Sequence, residues 1–178
     1  EDKIGGGGLL VHYDNLNEKT IDVSVSINIK NEEKNKSALV ELRLLDNIGL
    51  DVFSNKKNIV LESNKSTNYI SNFKIFNPKL WTPDNPQLHD LHVTIKSTNG
   101  ELLDKFKKRI GLRTIEMRGD DGFYLNGKSY PELLIGGNRH QDFAHIGHAL
   151  PNNLHYRDAL KLRQSGMRVI RSAHYVLD

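Results

Sequence analysis

The residues best suited to chemistry crowd into two stretches near the end of the chain. The first is Asn138-Arg139-His140-Gln141-Asp142, continuing through Phe143-Ala144-His145-Ile146-Gly147-His148; the second is Arg171-Ser172-Ala173-His174-Tyr175. Arginine brings planar, fixed donors, histidine a tunable donor or acceptor, and Asn and Asp add an amide and a pure acceptor. Together they suit a hydroxyl-rich or anionic ligand. Five of the eight histidines fall between residues 140 and 174, so a metal has to be weighed. His140, His145, His148 and His155 are spaced by five, three and seven residues, which is not the helical i, i+4 pair of a zinc protease. The chain has no cysteine, so disulfides, thiolate catalysis and cysteine zinc sites are excluded. Asp142 beside His140 imitates a catalytic dyad, but there is no serine elbow or cysteine for it to activate. We expect no metal set and no cofactor in these residues, and nothing in them supports a divalent cation in a longer parent.

These stretches must be positioned by something, and the surrounding pattern says what. Leu133-Leu134-Ile135-Gly136-Gly137 is a short continuous apolar run, as in a strand buried on both faces. Residues 153–164 read as a helix, capped by Asn152 or Asn153, with Tyr156, Ala159, Leu160 and Arg163 on one face and Gly166 as its left-handed stop. Met167 to Ile170 reads as a second buried strand. A strand-helix-strand unit makes parallel strands, almost always with a right-handed crossover. Both polar clusters then lie at the carboxyl ends of adjacent parallel strands, where α/β barrels and open α/β sheets bind their ligands. The first cluster also sits in a connection of about fifteen residues, where about two to six is usual. Two parallel strands cannot stand alone, because both faces and both edges want cover. The isolated chain is therefore expected to self-associate. It starts at Glu1 rather than Met and stops at Asp178 just after an apolar run, so both ends read as cuts and the compartment (periplasmic, secreted or cytoplasmic) stays open.

Upstream the texture is all-β. From Thr20 to Lys30, Ile21, Val23, Val25, Ile27 and Ile29 alternate with polar residues, giving one buried and one wet face. Six further strands are predicted at 9–13, 38–46, 58–62, 67–76, 89–97 and 101–112. Seven short strands in about a hundred residues is the arithmetic of an immunoglobulin-like sandwich. Trp81, between strands, reads as packing against the sandwich end, with a sugar platform as the alternative. Arg118-Gly119-Asp120-Asp121-Gly122 is a polar connector, and Phe123-Tyr124-Leu125 with Lys128-Ser129-Tyr130 forms a hairpin about an Asn126-Gly127 turn. The organisation is mostly β: a sandwich over 1–118, then over 119–178 a β-α-β unit that opens a larger α/β structure. A net charge of +3 without a basic stripe argues against nucleic acid, and no run nears the roughly 20 apolar residues that span a membrane.

Five segments in order carry a pattern: Leu80–Leu88, Arg109–Arg113, Phe123–Lys128, Gly137–His140 and Val169–Tyr175. They resemble glycoside hydrolase family 2. Leu80-Trp81-Thr82-Pro83-Asp84-Asn85-Pro86-Gln87-Leu88 resembles its W-[ST]-P-x-x-P-x-L segment, and Arg109-Ile110-Gly111-Leu112-Arg113 its R-x-G-[FL]-R closing strand. Phe123-Tyr124-Leu125-Asn126-Gly127-Lys128 resembles the F-x-L-N-G-K hairpin. Gly137-Asn138-Arg139-His140 resembles G-V-N-R-H, and Val169-Ile170-Arg171-Ser172-Ala173-His174-Tyr175 resembles A-V-R-x-S-H-Y-P. The matches run across residues 80–175; the first eighty share only sandwich character. Departures are Gly136-Gly137 for the usual Gly-Val, Val176 for Pro, and Gln141 where an acid is common.

The resemblance makes the unit over 119–178 the truncated β-α-β start of a TIM barrel, and it implies a retaining exo-β-glycosidase, nearest to the β-galactosidases, acting on a terminal β-galactoside. Arg139 stands where β-glucuronidases more often carry Lys; a β-glucuronidase or β-mannosidase of the same family is the alternative. The resemblance assigns sugar binding to His140, Arg171 and His174, and the cluster adds Asn138, Arg139 and Asp142. The family's two catalytic Glu residues lie on later strands. After residue 118 this chain offers Asp120, Asp121, Glu132, Asp142, Asp158 and Asp178, of which only Asp142 is near the cluster. Retaining hydrolysis needs two carboxylates about 5–5.5 Å apart, so the 178 residues alone are expected to be inactive. Two rivals from other classes are a non-catalytic sandwich that binds sugar or spaces domains, and a metal-dependent hydrolase.

Overall fold

The computed structural model describes residues 8–173. By internal contacts the chain divides into two units, Glu1–Ser129 and Tyr130–Asp178. The first unit opens with seven strands: β1 (Leu9–Asp14), β2 (Thr20–Asn31), β3 (Lys36–Leu45), β4 (Asp51–Leu61), β5 (Lys65–Phe76), β6 (His89–Ser97) and β7 (Leu102–Ile110). They form two antiparallel sheets ordered β1-β2-β5 and β4-β3-β6-β7. This is the expected seven-stranded immunoglobulin-like sandwich. Alternation decides what faces the core. Ile21, Val23, Val25, Ile27 and Ile29 of β2 point inward, against Ala38, Val40, Leu42 and Leu44 of β3 and Leu91, Val93 and Ile95 of β6. At roughly 1.5–3 kcal/mol for each fully buried Val, Leu or Ile, this row is the main source of the unit's stability.

Past β7 the chain adds a small antiparallel sheet that sequence reading caught only in part. β8 (Ile115–Met117) pairs with β9 (Phe123–Leu125), and β9 with β10 (Lys128–Ser129) across the Asn126-Gly127 turn. A 3-10 turn at Gly119–Asp121 joins β8 to β9. Asn126 fastens this sheet to the sandwich. Its amide donates to the Trp81 carbonyl at 3.0 Å, and its carbonyl accepts from the Thr114 N–H at 3.1 Å. Trp81 is half-buried; its N–H donates to Leu112 O at 2.9 Å and the Arg113 guanidinium stacks on its ring at 4.6 Å. It packs the sandwich end, as its position between strands implied. Gly111 lies against it so closely that a Cβ there would sit 2.8 Å from Trp81 Cβ and Cγ.

The second unit holds β11 (Gly136–Arg139), α1 (Asn152–Gln164) and β12 (Val169–Ser172), with β11 and β12 paired in parallel. The β-α-β order is as expected, but the first strand lies about three residues later than the apolar run at 133–137. A Cβ on Gly136 would meet Val169 O at 1.9 Å, so the two strands come together where a glycine lets them touch. Leu133 and Ile135 fall before the strand and stay 80% and 58% exposed, where burial on both faces was expected. The helix also differs in two details. Its N-cap is Pro151, with no side-chain cap, rather than Asn152 or Asn153. Its half-buried face carries Leu154, His155, Asp158 and Leu162, opposite the predicted Tyr156, Ala159, Leu160 and Arg163. The helix ends as expected: Gly166, at φ 90°, donates to Arg163 O and Met167 to Leu162 O, the paired bonds of a Schellman motif. Among the described residues no helix is long and apolar enough to cross a membrane.

Candidate sugar-binding site at the strand ends

β11 and β12 run in register, so Asn138 faces Arg171 and Arg139 faces Ser172. Partners across a parallel pair share a face, and successive residues alternate faces. The described cluster therefore splits in two. On one face the Arg171 guanidinium donates to the Asn138 side-chain carbonyl at 3.3 Å. On the other, Arg139 turns toward α1 and donates to Asp158 Oδ2 at 2.9 Å, with only 15% of the Arg139 side chain exposed. The Asp158 carboxyl is held below its ordinary value, first by that hydrogen bond, against the opposing pull of burial. His140 is the first residue beyond β11 and is half exposed, with Nδ1 3.7 Å from Asp142 Oδ2. His174 lies outside the described residues.

The connection from β11 to α1, residues 140–151, has its own internal structure. Phe143 and Gly147 pair as a bridge, with N–H···O distances of 3.1 and 2.9 Å. Gln141, 3% exposed, donates to His148 O at 2.8 Å. Asp142 Oδ1 lies 2.5 Å from His148 Nε2, so its nearer histidine is His148 and not His140. The Arg157 guanidinium reaches back from α1 over the Phe143 ring at 5.2 Å. The backbone turns at His145, whose φ of 72° is unusual for a residue with a side chain. Long loops with this much internal bonding are commonly functional.

The carboxylates after residue 118 have identifiable surroundings. Glu132 pairs with Arg168, Asp158 with Arg139 and Arg157, and Asp142 with His148. Asp120 and Asp121 occupy the 3-10 turn, and Asp178 lies outside the described residues. Among the described residues no group of three or more His, Asp or Glu side chains is arranged to hold a metal. Two residues that shape this region, Asp158 and Gln141, lie outside the binding set that the sequence suggests: Asp158 falls within the predicted helix, and Gln141 stands where an acid is common. The strand-helix order held a signal for Asp158, since α1 must cover one face of β11 and Asp158 shares its helical row with Leu154 and Leu162.

Two family models match this chain: Glycosyl hydrolases family 2 over residues 9–113, and the TIM barrel domain of the same family over residues 115–177. A putative beta-glucuronidase from Formosa agariphila is 35% identical over 91% of this chain and 18% of its own length. A beta-galactosidase from Thermoanaerobacter pseudethanolicus is 32% identical over 91% of this chain and 21% of its own. The crystal structure of a putative beta-galactosidase from Bacteroides fragilis superposes with a TM-score of 0.82 at 26% identity, over 96% of this chain and 25% of that one. The chain thus spans about a fifth of the length of the curated relatives it matches.

Proposed function

The chain belongs to glycosyl hydrolases family 2, and from that premise we propose that the full-length protein carrying it is a retaining exo-β-glycosidase acting on a terminal β-galactoside. The observation that carries this reading is the Asn138–Arg171 pair, 3.3 Å apart at the carboxyl ends of two parallel strands, with His140 next along the chain. A guanidinium, an amide and an imidazole there would bind ring hydroxyls and stabilise charge developing in an oxocarbenium-like transition state. Asp142 and His174 complete the proposed set. The family's two glutamates, which these residues do not include, would act as nucleophile and acid/base. In support of a domain boundary near 118/119, the two family models meet between residues 113 and 115; against it, the β8–β10 sheet crosses that point and is fastened to the sandwich through Asn126.

A neutral galactoside is favoured because the charge of Arg139 is already matched by Asp158. The second reading, a β-glucuronide, is favoured by the name of the 35% identical relative. Its carboxylate would need a cation, and Arg171 is the candidate. Steady-state kinetics of the full-length protein on 4-nitrophenyl β-galactoside and β-glucuronide separates the two. We expect kcat/KM at least about tenfold higher for the galactoside, a difference of roughly 1.4 kcal/mol in transition-state binding, and no turnover of either by the 178 residues alone. The opposite ratio would reassign the sugar. Turnover by the short chain that is abolished by a substitution within it would defeat the view that both carboxylates lie elsewhere.

A further inference from the structure

Asp158 sits where three parts of the second unit meet. Its Oδ2 accepts from Arg139 at 2.9 Å, at the last position of β11. Its Oδ1 lies 3.5 Å from Arg157, and the Arg157 guanidinium covers the Phe143 ring at 5.2 Å, inside the loop that follows β11. One carboxylate thus gathers the strand end on one side and the loop on the other. Between those two anchor points, Arg139 and Phe143, the chain runs through only His140, Gln141 and Asp142. Gln141 is itself pinned, buried and donating to His148 O. The segment that carries His140 is therefore held at both ends and in the middle.

We propose that Asp158 is a positioning residue of the sugar site: through Arg139 and Arg157 it fixes the strand end and the loop between which His140 is held. Arg139 then acts on the helix side of β11 and is not a sugar ligand. This inference rests on the proposed sugar-binding role of His140. An imidazole at a reacting centre has to be held to within a fraction of an ångström, and a misplacement of about 1 Å can cost on the order of a hundredfold in rate. The charge on Asp158 is what the two guanidinium groups share. Asp158→Asn keeps the shape and removes that charge.

The experiment is a double-mutant cycle in the full-length protein, reading kcat/KM on the aryl glycoside it cleaves. Circular dichroism checks that each variant is folded. We expect His140→Ala and Asp158→Asn each to lower kcat/KM by about tenfold or more. In the Asp158→Asn background, His140→Ala should cost less than about threefold further, because its placement is already lost. Asp158→Glu, which keeps the charge, should recover most of the activity and guards against a folding defect in the Asn variant. A purely structural role for Asp158 would leave the two losses multiplicative, and that result overturns the proposal. So does wild-type kcat/KM in Asp158→Asn while His140→Ala is impaired; in that case the sugar site stands and only the positioning role falls. Wild-type kinetics in His140→Ala would overturn both.

Discussion

In β2 of the sandwich, Ile21, Val23 and Val25 are at most 2% exposed, whereas in β12 Val169 and Ile170 keep 46% and 42% of their surface. All five are β-branched residues in strands, so their chemistry does not explain the difference. The number of layers does. β2 is paired on both edges, by β1 and β5, and faces a second sheet across the core. β12 pairs among the described residues with β11 alone, in a two-stranded sheet. A strand of a parallel sheet needs a covering layer on each face. The sandwich supplies both of its layers from residues 9–110, and the second unit supplies one pair of strands and one helix. The first unit has the makings of an independent fold; the second has a site whose support is drawn partly from its own loop and helix.

The largest effect expected from this contrast is at Val25. Val25→Asp buries an unpaired carboxylate in the sandwich core and should cost several kcal/mol, while Ser24→Asp, one residue earlier on the outer face, should cost under about 1. Urea midpoints of the two variants read this directly, and equal midpoints would break the assigned register. A smaller effect is expected at Gly111. A methyl there meets the stem of Trp81 at 2.8 Å, which a rigid neighbour can relieve only by shifting, so Gly111→Ala should cost about 1–3 kcal/mol. Retention of the wild-type midpoint would mean that the sandwich end is looser than the Trp81 contacts imply.

The sandwich was largely legible in the sequence because its alternation is regular. β6 has the predicted limits, His89–Ser97, and the inward face of β2 is the one the pattern named. β4, predicted at 58–62, spans Asp51–Leu61, because it is an edge strand. Lys57 lies opposite inward-facing Val40, so the edge carries a charge where periodicity looks for an apolar residue. The second unit was legible in order and illegible in phase. Its strand is polar, Gly136-Gly137-Asn138-Arg139, and pairing is set by the close approach of Gly136 to Val169 rather than by the apolar run before it. The placement of Asn138 and Arg171 at strand ends could be read from composition and order. The turning of Arg139 to the helix could not, because the apolar pattern of α1 points to a face with Tyr156 and Leu160, while the covered row runs through Leu154, Asp158 and Leu162.

The smallest effect is expected at Val169, and it tests the contrast from the other side. In the 178-residue chain Val169→Asp replaces a side chain that is 46% exposed. The new carboxylate stays hydrated, and the cost should be under about 1 kcal/mol. In the full-length protein, where further barrel strands would cover the same position, the same substitution should cost several kcal/mol, because the charge would be taken out of water without a partner. The ratio of the two costs, from urea midpoints of each protein and its variant, reports how much cover the rest of the barrel gives. Light scattering adds a second reading. Leu133, Ile135, Val169 and Ile170 together leave apolar surface bare in the short chain, so it should self-associate, and Val169→Asp should shift it toward monomer. A clean monomer across dilution would remove self-association. An equal cost in both chains would mean that Val169 is no better covered in the full-length protein, and the contrast between the two units would then reflect sequence rather than missing layers.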